Sequence, residues 1–269
     1  MLTKMLKTSL LIALTVVISA CNTTAAKPAV KAETKQQTQL QKIATKGQIV
    51  VGTSGNMTPM TRSINDGKDA VGFDIDLAQT MADTMGVKLV VKVIAFEKLI
   101  PALEKGDIDI IVSNMTITPK RNTKVAFVGP YLNSGKCLIT KEKTLASAKK
   151  EDLNKAKTKM VVLRGTTNED FVKIGMPNVE AISVDTQEEA ITMVRNGSVN
   201  AMLDEYPICR AIISNNPNEF VSVFSNLTYE PIGIAIAPQN THLINWTQNF
   251  LGRANKIGLL EVLGKKWFR

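Results

Sequence analysis

The sequence predicts an α/β fold, and two features of its hydrophobic pattern indicate this class. From residue 43 onward, segments typical of strands alternate with segments typical of helices. The predicted strand at 108–112 is rich in isoleucine and valine, as expected of a strand that helices cover on both faces. Alternating strands and helices of this kind form sheets layered with helices.

The predicted elements fall into two sets, which suggests two lobes. In the first set, strands are predicted at 48–52, 87–94 and 108–112, and helices at 74–85 and 97–105. The helix at 74–85 carries its apolar residues along one face and stops at Gly86. In the second set, strands are predicted at 137–140, 160–163, 179–184 and 199–203, and helices at 168–174, 186–195 and 207–214. Further strands at 220–224 and 232–238 precede two closing helices at 243–255 and 259–267.

The N-terminus has the features of a secretory signal. Lys4 and Lys7 precede an apolar stretch at 10–20, which is shorter than the roughly 20 residues of a membrane span. The sequence around Cys21, Ile-Ser-Ala-Cys, resembles the lipobox of bacterial lipoproteins, which implies cleavage before Cys21 and lipidation of its sulfur. An ordinary signal peptide with a chance cysteine is the alternative.

Residues 21–42 have the composition of a flexible tether, because they hold too little apolar surface to offset the entropy lost on ordering. A lipid chain followed by such a tether would keep the folded part near a membrane without embedding it.

The net charge of +9 could suggest nucleic acid as a partner. Lysine and arginine are scattered, however, and aromatic content is 5%, so we expect no nucleic-acid binding.

Two cysteines remain after Cys21, namely Cys137 and Cys209. An oxidising compartment would permit a disulfide between them. The alternative is two buried thiols that pack as small apolar groups. We favour the thiols, since the sequence cannot place their Cα atoms within bonding distance.

Polar chemistry gathers where three predicted strands end, which is where open α/β sheets bind ligands. The three segments hold, in order, Asn114 to Arg121, Gly165 with Thr166 and Thr167, and Asp204 with Glu205. An arginine and a helix N-terminus suit a carboxylate, whereas an acidic side chain suits an ammonium group. A ligand with both groups is an α-amino acid. Each segment alone could equally be a surface arginine, a helix cap or a solvated helix end.

Three stretches resemble the extracellular amino-acid-binding proteins of bacterial ABC importers, known as solute-binding family 3. They are V-G-F-D-I-D-L-A-Q-T-M-A from 71, L-I-P-A-L-E-K-G-D-I-D-I-I-V-S-N-M-T-I-T-P-K-R from 99 and V-A-F-V-G-P-Y-L-N-S-G from 125. The resemblance implies a type II periplasmic binding protein with two lobes, two crossover hinge strands and a discontinuous first lobe. We expect the signal at 1–20, the tether at 21–42, lobe one at 43–134 and 227–269, and lobe two at 135–226. The crossings are expected near 133–136 and 225–230.

The resemblance also implies roles for individual residues. Arg121 would grip the α-carboxylate, helped by Thr116 and the backbone at Thr167. Glu205 would accept the α-ammonium group, together with the backbone carbonyl of Asn114. Asp204 is adjacent, so a shift of one residue would exchange it with Glu205.

The other wall of the implied pocket departs from the family pattern. Phe96 matches an aromatic residue that packs on the ligand, with a core position as its alternative. Ser54 stands where relatives carry an acidic or small polar residue, and Met57 and Met60 replace aromatics. Thioethers offer no flat face for a guanidinium, which argues against arginine or lysine as the ligand.

The resemblance therefore predicts a monomeric, membrane-anchored receptor in the periplasm or cell envelope. It would deliver a polar or small amino acid, or a related small carboxylate, to a membrane permease. One alternative is an enzyme on the same scaffold, such as a cyclohexadienyl-dehydratase-like protein. Another is a ligand-sensing partner of a membrane receptor. We expect no enzyme activity, metal or cofactor, because the sole histidine, His242, lacks a nucleophile or metal-ligand pattern around it.

Overall fold

The computed structural model describes residues 36–147, 150–155, 157–223 and 228–268. The predicted signal peptide, Cys21 and the tether up to residue 35 lie outside the described residues. The C-terminal end of the predicted tether is wrong, because residues 39–42 belong to helix α1 (Gln39–Lys46). Thr38 and Gln41 form a capping box at the start of this helix, and Ile43 is buried. The capping box and the burial of Ile43 stabilise this helix, although the composition of residues 39–42 is that of a linker.

The first sheet has five strands in the order β5, β1, β6, β13, β7. Strand β1 runs parallel to β5 and β6, whereas β13 runs antiparallel to β6 and β7. The strands are β1 (Gln48–Thr53), β5 (Lys88–Val93), β6 (Ile110–Ile111), β7 (Ala126–Ser134) and β13 (Glu230–Ile236). Beside it lies a small antiparallel sheet of β2 (Asn56–Met57), β3 (Thr61–Ile64) and β4 (Asp69–Val71).

The second sheet also has five strands, in the order β10, β9, β11, β8, β12. Strand β9 is parallel to its neighbours β10 and β11, and β8 is antiparallel to β11 and β12. The strands are β8 (Lys136–Thr140), β9 (Lys159–Leu163), β10 (Glu180–Val184), β11 (Ala201–Glu205) and β12 (Val221–Val223). Their apolar side chains fill a second core on this side of the molecule.

Helices cover both sheets, and a 3-10 turn at Phe96–Lys98 precedes one of them. In the first lobe they are α2 (Phe73–Met85), α3 (Leu99–Lys105), α4 (Pro119–Asn122), α10 (Thr241–Lys256) and α11 (Leu259–Trp267). In the second lobe they are α5 (Lys143–Ala146), α6 (Lys150–Leu153), α7 (Thr167–Gly175), α8 (Gln187–Arg195) and α9 (Tyr206–Asn215). None of the helices within the described ranges has the length and apolar content that crossing a bilayer requires.

The predicted α/β fold with two lobes is confirmed. The chain passes from the first sheet to the second between β7 and β8, within the predicted crossing at 133–136. It returns before β13, and residues 225–227 of the predicted second crossing lie outside the described residues. The first sheet takes strands from both sides of the second in sequence, so it is discontinuous along the chain.

Several strands differ from the sequence prediction, and the small sheet of β2, β3 and β4 was not predicted. Strand β7 was not predicted, because Gly129 and Pro130 interrupt its pattern; proline is tolerated there since β7 is an edge strand. Strand β11 extends through Asp204 and Glu205, two residues beyond its predicted end. Both acidic side chains are therefore held by a sheet rather than by a loop.

The preference for two buried thiols at Cys137 and Cys209 is wrong, because the structure joins them in a disulfide. Their Cα atoms are 6.4 Å apart, within the range that a disulfide spans. Strand β8 and helix α9 pack against each other inside the second lobe and bring the two sulfurs together. Neither cysteine is exposed to solvent.

We expect a variant with Cys137→Ser and Cys209→Ser to lose about 4 kcal/mol of unfolding free energy. The reason is that the disulfide closes a loop with a sequence separation of 72, and removing it restores freedom to the unfolded chain. Urea denaturation of the variant and the parent protein measures the difference. An unchanged urea midpoint would contradict the structural role assigned to the disulfide, and intact mass under non-reducing conditions checks that it forms.

Candidate ligand-binding site

A small, tightly closed cavity lies between the two lobes, at the carboxyl ends of strands from both sheets. The first lobe contributes residues from the loops after β1, β5 and β6, and the second contributes the ends of β9 and β11 and the start of α7. The lining residues are Met57, Phe96, Asn114, Thr116, Arg121, Leu163, Thr166, Thr167, Asn168, Asp204 and Glu205. Most of the predicted site residues are thus brought together.

Arg121 bridges the two lobes. Its guanidinium donates to the carbonyl oxygen of Thr116 at 2.8 Å and to that of Gly165, in the other lobe, at 3.1 Å. It also lies over the ring of Phe96, with its central carbon 5.3 Å from the ring centroid. Burial lowers the pKa of Arg121, although nearby carboxylates act in the opposite direction. Three of the five N–H donors of the guanidinium remain for a carboxylate in the cavity.

The first turn of α7 approaches Arg121 closely because Gly165 precedes it. Gly165 has a φ of +74°, and a Cβ atom built on it would lie 2.8 Å from the side chain of Glu97. Thr166 caps the helix: its hydroxyl donates to the carbonyl of Leu163 and accepts from the N–H of Glu169. Because the hydroxyl of Thr166 is used in the helix cap, Thr166 positions the start of α7 at the cavity.

Asn114 connects the first lobe to the acidic end of β11. It adopts a left-handed backbone conformation with a φ of 48°, and its N–H donates to the buried carboxylate of Asp74 at 2.8 Å. The other oxygen of Asp74 accepts from the hydroxyl of Tyr131. The side-chain amide of Asn114 donates to Glu205 at 2.5 Å. Asp74 therefore holds the backbone of Asn114, whose side chain reaches the opposite lobe.

Asp204 and Glu205 both line the cavity, and both are buried. One carboxyl oxygen of Asp204 accepts from the N–H of Glu205, and the other has no hydrogen-bond partner among the described residues. Burial, followed by the charge of Glu205, raises the pKa of Asp204 to about 8. Burial also raises the pKa of Glu205, while the charge of Lys136 opposes that rise. The sequence left open which of the two acids meets the ligand. In the structure both acids line the same cavity.

Lys136 is a site residue that the sequence analysis missed. Its ammonium group is 2% exposed, pairs with Glu230 at 3.1 Å and donates to the hydroxyl of Thr167 and the side-chain oxygen of Asn168. The hydroxyl of Thr167 lies 3.5 Å from that of Thr116 across the cleft. A single lysine at the start of the apolar strand Lys-Cys-Leu-Ile-Thr was the available signal, because an unpaired lysine is excluded from such a position.

The wall opposite Arg121 is less polar than the rest. The sulfur of Met57 faces the cavity and lies 3.9 Å from the amide nitrogen of Asn114. Met60 is wholly buried in the core and is not among the lining residues. Ser54 is also buried outside the lining, with its N–H donating to Ser113. The structure therefore places Met57 in the cavity and Ser54 behind it.

Contacts at both edges of the cleft hold the lobes in a closed arrangement. On one edge, Asn56 donates to the carbonyl of Asp185 at 2.7 Å, and the N–H of Thr58 donates to Gln187 at 3.2 Å. On the other edge, Lys120 and Asp170 form an exposed ion pair. Arg164, next to the glycine turn, points away from the cavity and pairs with Asp185. Exposed pairs of this kind contribute only about 0–1 kcal/mol each, so the closed form depends mainly on the buried contacts.

Comparison with known protein families and sequences finds relatives of this chain. The family model for bacterial extracellular solute-binding proteins, family 3, matches residues 49–269. The ABC transporter arginine-binding protein 1 of Escherichia coli (strain K12) is 27% identical over 226 residues, covering 81% of this chain and 89% of its own. The ABC transporter glutamine-binding protein of Bacillus subtilis (strain 168) is 26% identical over 257 residues, covering 94% and 93%.

A solved structure is also similar. The ancestral amino-acid-binding protein AncCDT-1, described as a precursor of cyclohexadienyl dehydratase, matches with a TM-score of 0.79 and 35% identity over 86% of this chain and 99% of its own. The fold and cleft define a two-lobed binding protein of the periplasmic type. The chain belongs to the bacterial extracellular solute-binding proteins, family 3. The named relatives are amino-acid-binding components of ABC importers rather than enzymes.

We expect Asp204→Asn to raise the melting temperature near pH 8 and to leave it unchanged near pH 4. Asp204 has a pKa of about 8 in the folded protein and an ordinary value of 3.8, so the unfolded chain loses this proton first. The wild-type protein therefore loses stability between pH 4 and pH 8 relative to a variant that cannot ionise. Each kcal/mol gained should raise the melting temperature by about 2–4 °C.

Differential scanning calorimetry of both proteins across this pH range measures the gain. Asp170→Asn is the control, because Asp170 is an exposed acid at the edge of the same cleft. A gain for Asp204→Asn that is as large at pH 4 as at pH 8 would contradict the assignment.

Proposed function

We propose that the protein captures a polar or small amino acid, or a related small carboxylate, in the cavity between its lobes and delivers it to the permease of an ABC importer. The observation that carries this proposal is the placement of Arg121 and Glu205 on the same small, buried cavity. A guanidinium and a carboxylate facing one cavity match the two charges of an α-amino acid.

The residues around each charge support this assignment. Arg121 has free donors beside the hydroxyls of Thr116 and Thr167, which suits a carboxylate. At the other end, Glu205 and the side-chain oxygen of Asn114 are acceptors that suit an ammonium group. This differs from the expectation from the resemblance in using the side chain of Asn114 as well as its carbonyl. Met57 and Leu163 form an apolar wall that favours a ligand of modest size.

The proposed location is the periplasm or cell envelope. Membership of an extracellular family supports export. We further propose that Cys21 carries a lipid that anchors the protein to a membrane and that the protein acts as a monomer. The lobe boundaries at 134/135 and 226/227 stay part of this proposal. Metabolic labelling with a fatty acid, compared between wild type and Cys21→Ser, tests the anchor.

We expect Arg121→Ala to lower the affinity for the amino-acid ligand by about 100-fold or more, because a charge-assisted pair of hydrogen bonds to a carboxylate is lost. A thermal-shift screen of residues 37–269 against the common amino acids and related small carboxylates identifies the ligand, since a ligand bound only by the native state raises the melting temperature. Isothermal titration then measures the affinity of the variant.

Arg164→Ala is the matched control. Arg164 lies one residue before Gly165 but pairs with Asp185 outside the cavity. It should bind like the wild type. Undiminished ligand stabilisation of Arg121→Ala would refute the role of Arg121. A screen in which no amino acid and no small carboxylate stabilises the wild type would refute the proposed function.

A second function has one observation in its favour. Asp204 and Glu205 are buried acids with raised pKa values in a closed cavity, and such groups are candidates for proton transfer. The similar ancestral structure is described as a precursor of cyclohexadienyl dehydratase. We expect no turnover when the protein is incubated with prephenate or arogenate and the mixture is separated by chromatography. Product formation above the level of a Glu205→Gln variant would favour the enzyme.

A further inference from the structure

Asp204 carries an acceptor oxygen that no described group of the protein uses. Its side chain is 2% exposed and lines the cavity, and its Oδ2 atom has no hydrogen-bond partner among the described residues. The other oxygen, Oδ1, is fixed by the N–H of Glu205. A buried polar atom without a partner destabilises the folded state by about 1–3 kcal/mol. Such an atom on the wall of a ligand cavity points to a contact with the ligand.

A second, independent group has the same property. The side-chain oxygen of Asn114, Oδ1, is buried on the opposite wall of the same cavity and is unpaired within the described part of the chain. Its amide nitrogen is already committed to Glu205. Two acceptors from different lobes therefore face one cavity, in addition to Glu205. Glu205 and Asn114 supply acceptors for the α-ammonium group. A carboxyl group that keeps its proton presents an O–H donor instead, which an ammonium group cannot accept because it has no acceptor, so a protonated Asp204 faces the rest of the ligand.

The charges that face Asp204 make it the surplus acid of the site. Lys136 of β8 and Glu205 of β11 act on Asp204 directly. Arg121 of α4 and Glu230 of β13 act on Glu205, so two cations stand against two carboxylates in this cluster. The remaining acid, Asp74 of α2, faces Asn114 and is bonded to Tyr131 and to the backbone. A zwitterionic ligand adds no net charge. An ionised Asp204 would then be an uncompensated buried anion.

We propose that Asp204 contacts the side chain of the ligand and that its proton follows the charge of that side chain. With an uncharged polar side chain, the carboxylic acid keeps its proton and donates a hydrogen bond through the O–H. With a cationic side chain, the O–H bond breaks, the proton passes to solvent, and the resulting carboxylate pairs with the cation. This inference rests on the proposed function, namely that the cavity binds an amino acid.

The electrostatics of the site agree with this arrangement. Burial and the neighbouring charge of Glu205 keep the pKa of Asp204 near 8, against the opposing effect of Lys136. The group is therefore mainly protonated at pH 7 without a cation beside it. A guanidinium or ammonium group within hydrogen-bonding distance favours the ionised form, as an opposite charge does for any carboxyl group.

The test counts protons exchanged on binding. Isothermal titration at pH 7 in two buffers with different ionisation enthalpies gives the number of protons released per ligand, with glutamine and arginine as probes. We expect about one proton released with arginine and none with glutamine. Asp204→Asn should release none with either, and the control Asp152→Asn, which removes an exposed acid that pairs with Lys155 and does not line the cavity, should behave like the wild type.

Binding of a single class of probe still decides the question, through the pH dependence of affinity between pH 6 and pH 9. Above pH 8, glutamine affinity should fall by about tenfold per pH unit in the wild type. Arginine affinity should instead rise by about tenfold per pH unit up to pH 8 and then level off. Both dependences should be absent from Asp204→Asn.

Equal proton release for the two probes, or a pH dependence that persists in Asp204→Asn, overturns the role of Asp204 and leaves the proposed function standing. Should the variant fail to fold, the contrast between the two probes in the wild type decides. Absence of binding by every amino acid in the wild type overturns the role of Asp204, and absence of binding by the small carboxylates as well overturns the proposed function.

Discussion

The ion pair between Lys136 and Glu230 is the interaction on which the rest of the cleft depends. Lys136 begins the first strand of the second lobe and Glu230 begins the strand by which the chain returns to the first sheet, so the pair joins the two sheets where the chain crosses. Both side chains are almost fully buried. Because a buried charge without its partner costs several kcal/mol, the pair constrains the closed lobes and also fixes Thr167, which both residues contact.

The same pair sets the electrostatics of the ligand site. Lys136 stabilises the charge of Glu205, while Glu230 neutralises much of the positive charge that Lys136 brings. The acid that remains, Asp204, is then disfavoured as an anion. A protein selected for stability alone would carry an apolar residue at this position, since a buried polar atom without a partner lowers the free energy of unfolding. Binding sites often keep residues that lower stability but serve function, and Asp204 fits this pattern.

The sequence was sufficient to predict the fold class and the residues that end the strands, because hydrophobic periodicity and short polar motifs are local. Arg121 and Glu205 could be placed near each other through the resemblance to a two-lobed family, because the strands that precede them belong to different sheets. The partners of Asp74 and Lys136 could not be predicted from the sequence, because each pairing joins segments that are far apart in the chain. The same limit applies to the disulfide at Cys137, which requires knowledge of how β8 and α9 pack.

The two ends of the cavity differ in how firmly their geometry is fixed. At the carboxylate end, Arg121 is held by two backbone carbonyls and by Phe96, so its position changes little with the nature of the ligand. At the other end, Met57 is a flexible thioether and Asp204 can gain or lose a proton. One end of the cavity is rigid and suits the part that all amino acids share, and the other end is adjustable and suits the part that differs. Selectivity therefore depends on a few side chains. The arginine-binding and glutamine-binding relatives are named for amino acids that share the first part and differ in the second.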